Sequence, residues 1–463
     1  MSQFNLQHLR LRDFRCFDSI DITFHPRLTV LVAANGAGKT SVLDAIAVAL
    51  GPYVGAFDEA AGRYFLPTDI RRARIRATAS SEMEYAPDGV SLEATGSIPG
   101  HTAPTTWKRS LAGPTRAKTT IKDAKTLIDY GKHLQQAVRT PGNDACLPVL
   151  AYYGTGRLWQ QKKLIDARLE RTSRTTAYAN CLDPASSYKS FVAWFRYWST
   201  NALKGQLDAN KAGRPYTPTE FDHCLESVGD AVNTCLAPAG WGDIAYSLAR
   251  EELVAHHTQH GELPVELLSD GIRNMVGMVA DIAFRATKLN PQLGRDAARQ
   301  TYGIVLIDEV DMHLHPAWQQ IVLSSLGSAF PNLQFIVTTH SPQVLTSVDA
   351  ACIRLLREDV DTETGQRHCI AATIPLQTRG VASSDLLARI MGVDPVPDLP
   401  EARMVADYHA LIQQGLHAST EGIALRSAID IHFGLDHPVL RECERMIRLQ
   451  AFKQKLPIGK KTG

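Results

Sequence analysis

Roughly alternating apolar positions in Phe4 to Leu11, Ile20 to Phe24 and Leu28 to Ala33 predict three short strands at the start of the chain. The third runs into a glycine-rich loop, after which a helix is expected through Leu50. Between about residues 73 and 111 the pattern is short and β-like (RIRATAS, GVSLEATGSI, TTWKRSL) and predicts an antiparallel flap carried by the first half. An apolar strand at Leu147 to Tyr153 gives way to helical spacing in Tyr188 to Leu203 and Phe221 to Leu236, too short for the sustained heptads of a coiled-coil arm. Gly303 to Ile307 and Leu333 to Thr338 are continuous apolar runs that each follow a helical stretch, as in a parallel sheet with helices packed on it. Past the proline-rich DPVPDLPEA, the spacing of Val405, Tyr408, Leu411 and Ile412, then Leu425, Ile429 and Phe433, predicts a helical tail. The expected class is α/β. Residues 1–156 form a first lobe with the glycine-rich loop and flap, 157–262 a mainly helical insertion, 263–375 a second lobe, and 376–463 the tail.

Composition narrows the functional classes. Lys and Arg total 49 against 48 for Asp and Glu, so a net charge of +1 supplies no global field for nucleic acid or anionic membrane. Contact with DNA or RNA would have to be local, through Arg71, Arg72, Arg74 and Arg76 or through Arg157, Lys162, Lys163, Arg168, Arg171 and Arg174; solvated strand and helix faces explain the same residues. The eight cysteines form no C-x-x-C pair, and no apolar run reaches the length of a membrane span, so a cytoplasmic protein is expected.

The chemistry concentrates in four segments. Ala33-Ala34-Asn35-Gly36-Ala37-Gly38-Lys39-Thr40-Ser41 lies between a strand and a helix, where backbone N–H groups can surround phosphate oxygens. Lys39 would supply charge to the β- and γ-phosphates of ATP and Thr40 a ligand to Mg2+, while Ala33 replaces the first glycine of the motif. The strand Gly303 to Ile307 delivers Asp308 and Glu309 at its C-terminal end, the first suited to hold magnesium and the second to activate a water. Leu268-Ser269-Asp270-Gly271 precedes a helix, either as a second anion site or as a plain N-cap. His340 follows the strand FIVTT. His313 and His315 form an H-x-H pair without a third ligand, and His256, His257 and His260 read as a solvated loop.

Assembled in this order, the segments resemble ABC-type ATPases of the SMC/RecF and OLD group over most of residues 1 to 350. IDEVDMHLHPAWQQ and FPNLQFIVTTHSPQVLTSV, with YYGTGRLW and SSDLLARIMGV, are similar to the PtuA ATPases of Septu and retron-associated antiphage systems. The resemblance implies that Arg15 in LRLRDFRCF approaches the phosphates and that His340 senses the γ-phosphate. It implies further that Ser269, Asp270 and Gly271 cap the nucleotide of an opposite subunit, making at least a homodimer. It also implies an HNH nuclease partner (PtuB-like) and no nuclease site in this chain, whose REDVDTETG stretch, with Asp359 and Asp361, reads as a hairpin turn. A RecF-like repair ATPase that clamps DNA without a nuclease is the alternative.

Overall fold

The computed structural model describes residues 3–74, 83–115, 117–156, 173–184, 189–360 and 367–455. Walking the chain, β1 (Asn5–Phe14), β2 (Phe17–Thr23) and β3 (Leu28–Val32) lead to α1 (Lys39–Val54). A small antiparallel pair, β4 (Arg72–Arg74) and β5 (Met83–Tyr85), precedes β6 (Val90–Ser97), β7 (Thr105–Leu111), α2 (Lys125–Arg139) and β8 (Val149–Tyr153). Next come α3 (Lys189–Lys211), α4 (Glu220–Leu236), β9 (Trp241–Ser247), β10 (Glu252–His257), β11 (Gly261–Pro264) and α5 (Asp270–Leu289). The first unit is completed by β12 (Gly303–Ile307), β13 (Leu333–Thr339), β14 (Ile353–Val360) and β15 (Arg367–Thr373).

Two sheets organise these elements. The six-stranded sheet runs β15-β14-β3-β13-β12-β8, parallel except for the β14–β15 hairpin, and the four-stranded sheet β2-β1-β6-β7 is antiparallel. The expected α/β architecture, with an antiparallel flap built onto the first strands, is therefore present. Every residue of β8, β12 and β13 is buried, which is why these strands read as mainly apolar runs rather than alternating ones, β13 carrying the polar Gln334, Thr338 and Thr339 as well. Helix α1 is buried along nearly its whole length from Val42 to Val54, and β1, β6 and β7 alternate because only one face of their sheet is covered.

The chain divides into two compact units, Met1–Leu386 and Leu387–Gly463. In the second, helices at Pro400–Gln414, Thr420–Phe433 and Pro438–Lys455 enclose Tyr408, Ile412, Ile429, Leu440 and Cys443. The insertion is less helical than expected: after α3 and α4 the chain forms the antiparallel sheet β11-β10-β9. His256 and His257 accordingly end a strand instead of lying in a solvated loop. The His257 ring packs on Trp241 and His260, and its Nδ1 accepts hydrogen bonds from the N–H groups of Gln259 and His260 at 3.0 and 3.2 Å. Asp359 lies in β14, opposite His368, while Asp361 falls outside the described residues. All eight cysteines are free thiols, and no described helix is long and apolar enough to cross a membrane.

Candidate functional site

Strands β3, β12 and β13 are neighbours, so the loops at their C-terminal ends open on one side of the sheet, where ligands bind in open α/β folds. The loop after β3 is the glycine-rich segment. Gly36 and Gly38 have φ of 77° and 90°, a conformation that side chains resist. At Gly38 a Cβ would also lie 2.3 Å from the ring of Phe17 and 2.6 Å from Cys16 Sγ. Ala33 is not among the residues with positive φ, so its extra methyl is accommodated without backbone strain. Lys39, the first residue of α1, is buried and folds back to donate to the carbonyls of Ala33 at 3.0 Å and Ala34 at 3.3 Å. Burial pulls its ammonium pKa below the ordinary lysine value, against the opposing pull of Asp308, Glu309 and Asp311.

Asp308, through its carboxylate, and Glu309, through its backbone N–H, are joined to this loop by a continuous chain of hydrogen bonds. Thr40 Oγ1 donates to Asp308 Oδ2 at 2.8 Å, and Thr338 Oγ1, from β13, donates to Asp308 Oδ1 at 2.6 Å. The same Thr338 oxygen accepts the Glu309 N–H at 2.7 Å, and the Asp308 N–H donates to the Tyr153 carbonyl of β8 at 2.8 Å. Glu309 is held with φ of 47°, a left-handed conformation unusual outside glycine. Thr40 and Asp308 thus present two hard oxygens from two elements, a donor set suited to Mg2+ that also keeps phosphate and water ligands. Among the described residues no group of three or more His, Cys, Asp and Glu is gathered around a metal position, the H-x-H pair included.

His340 is half-buried directly after β13, whose last residue, Thr339, donates to Asp311 Oδ1 at 2.5 Å. Asn35, Ala37 and Ser41 lie on the loop and the first turn of α1. Arg15 is held by carboxylates: Nη1 donates to Asp44 Oδ2 at 2.6 Å and Nε to Asp69 Oδ1 at 2.8 Å. Burial works against its charge, but Asp44 and Asp69 outweigh it and raise the guanidinium pKa above its ordinary value. Asp44 stands one turn beyond Thr40 on α1 and is also bound by Arg63 at 2.7 Å, so Arg15 reaches the flank of α1 through an ion-pair network.

Ser269 is the N-cap of α5 without a side-chain cap bond, Asp270 pairs with Arg273, and Gly271 is packed against backbone. A Cβ at Gly271 would lie 2.3 Å from the carbonyl oxygen of His313. Among the described residues no hydrogen bond or ion pair joins Ser269, Asp270 or Gly271 to residues 33–41. In the basic segments, Arg71 pairs with Asp13, Arg72 lies over the Tyr85 ring and Arg174 donates to Ala145 O; the Arg74 side chain, Arg76, Arg157, Lys162, Lys163, Arg168 and Arg171 lie outside the described residues.

Thr338, Asp44, Asp69 and Arg63 escape a reading of sequence. The one available signal was the pair Thr338-Thr339 closing a buried, mainly apolar strand, where hydroxyls need partners.

An AAA domain model matches residues 8–194, and a second, whose description reads "AAA domain, putative AbiEii toxin, Type IV TA system", matches residues 251–346. The chain is similar to the Retron Ec83 probable ATPase of Escherichia coli, at 26% identity over 95% of this chain and 86% of that protein. It is similar also to Septu protein PtuA of Bacillus mycoides, at 36% identity over 30% of this chain and 18% of that protein. Among solved structures, the SMC head domain from Thermotoga maritima aligns with a TM-score of 0.41 and 15% identity, over 80% of this chain and 100% of that one.

Proposed function

We propose that this chain, an ABC-type ATPase of the SMC/RecF/OLD group, is the nucleotide-driven subunit of a bacterial antiphage defence complex. In this reading two copies close around ATP and thereby regulate a partner nuclease of the HNH type. The observation that carries the ATPase site is the hydrogen-bonded chain Thr40–Asp308–Thr338–Glu309, which ties the glycine-rich loop to the Asp308 carboxylate and to the backbone N–H of Glu309. The retron and Septu names of its relatives support the defence setting.

Each residue then has a task. The N–H groups of the loop and the first turn of α1 hold phosphate oxygens, and Lys39 exchanges the carbonyls of Ala33 and Ala34 for the β- and γ-phosphates. Thr40 and Asp308 would hold Mg2+, which when bound neutralises charge developing on the phosphate oxygens. Glu309, its backbone fixed by Thr338, orients the attacking water and takes its proton. His340 meets the γ-phosphate from the end of β13. Arg15, released from Asp44, would add a second cation at the flank.

Two measurements test the reading. Glu309→Gln should bind ATP with unchanged affinity and hydrolyse it at least about 100-fold more slowly, since loss of a general base costs that much. Wild-type turnover in that variant would remove Glu309 from the role. A tagged chain expressed from its native operon should retain an HNH protein on affinity resin. Recovery of the chain with DNA and no nuclease would replace the defence reading by the RecF-like one.

A further inference from the structure

We propose that Tyr153 and Asp281 are positioning residues that tie α5, the helix headed by Ser269, to the carboxylates after β12, so that a displacement of α5 resets Asp308 and Glu309. The proposal rests on the reading of those carboxylates as the ATPase site. Its core is one tyrosine used at both ends. The backbone carbonyl of Tyr153 accepts the Asp308 N–H at 2.8 Å, while its hydroxyl donates to Asp281 Oδ2 at 2.7 Å. Arg285 Nε donates to the same carboxylate oxygen at 2.8 Å, and Arg285 Nη1 anchors to the carbonyl of Ala177 at 2.6 Å. Tyr153, Asp281 and Arg285 are 3%, 2% and 5% exposed, so these bonds are shielded from competition with water.

A second contact joins the same two elements. The start of α5 lies so close to the loop beyond Glu309 that a Cβ on Gly271 would sit 2.3 Å from His313 O. At about 100° per residue, Gly271, Asp281 and Arg285 fall within an arc of about 80°, so one face of α5 makes both contacts. That face therefore grips β12 and its loop ahead of Asp308, through Tyr153, and after Glu309, through His313. Glu309 and His313 both have positive φ, at 47° and 61°, conformations that their surroundings must impose. A helix that imposes them from two points can alter them when it moves. A buried ion pair such as Asp281–Arg285 adds little net stability over apolar residues of the same shape, but it fixes geometry.

The test uses the full chain with a non-hydrolysable ATP analogue and Mn2+ as the paramagnetic stand-in for Mg2+. Tyr153→Phe removes the hydroxyl while keeping the ring, and Asp281→Asn keeps the shape while removing the charge. Analogue affinity without metal should stay within about twofold of wild type. Mn2+ affinity of the analogue complex, read by electron paramagnetic resonance, should fall about tenfold, the size expected when support behind a metal-holding carboxylate is lost. The turnover number should fall with little change in KM, and the double variant should be no worse than the weaker single one, because both cut one link. Unchanged Mn2+ affinity in folded Tyr153→Phe, or additive losses in the double variant, would overturn the proposal; should Asp281→Asn fail to fold, Tyr153→Phe decides alone. Asp308→Asn separates the two levels: if it too leaves Mn2+ affinity unchanged, the ATPase-site reading fails rather than the coupling.

Discussion

Lys39 is the only side-chain cation between residues 33 and 41, and its ammonium is satisfied by two carbonyls of its own loop. Binding a nucleotide thus replaces neutral acceptors by charged ones at a site already desolvated. Charge-assisted bonds of that kind contribute about 1.5 to 3 kcal/mol each. Lys39→Ala should lower ATP affinity by at least about tenfold in a calorimetric titration while leaving the thermal melting curve in place; unchanged affinity would dissociate the loop from phosphate binding. At this scale residue type and spacing single out Lys39, Thr40, Asp308 and Glu309 as candidates, and the fold brings them to one place. Thr338 and the Asp44–Arg15–Asp69 network were not legible in this way, because a hydroxyl or carboxylate more than 20 positions away announces its partner only once the strands are in register.

Helix α5 and the loop after β12 behave as one element pair. Gly271 is buried with no room for a methyl, whereas Ser269, two residues earlier, is exposed. Gly271→Ala must push the His313 backbone away and should lower stability by about 1 to 3 kcal/mol, the range of an overpacked site. Ser269→Arg should leave the melting temperature unchanged, so a calorimetric scan of both variants checks the asymmetry. Periodicity announced α1, α4 and the buried strands. It missed the β9–β11 sheet, since short strands around Trp241 to Pro264 with polar turns carry the same composition as a loop, and only mutual pairing makes them strands.

At the scale of the whole molecule, the Ser269 segment and the Lys39 loop are both helix N-termini suited to anions, and among the described residues no hydrogen bond or ion pair joins them within one chain. Two copies related by a two-fold axis would let each chain complete the site of the other. Ser269→Arg places charge at an exposed position without disturbing its own fold, so it should spare ATP binding and block hydrolysis. Mixed with Lys39→Ala chains, it should recover part of the activity, because one of the two composite sites then holds both motifs intact; a nucleotide complex with Ser269 beside its own chain's Lys39 would refute the arrangement. The sequence by itself determined the α/β class and pointed to an ATPase, because glycines, a lysine and a hydroxyl in fixed order between a strand and a helix suit phosphate, and buried parallel strands are mainly apolar. Only the tertiary structure decided that Thr338 bridges the Asp308 carboxylate and the Glu309 backbone N–H, that Arg15 is held by acids, and that α5 grips β12 through Tyr153 and His313. Those contacts join residues far apart in the chain, and their existence depends on register, helix face and burial, which are properties of the folded chain.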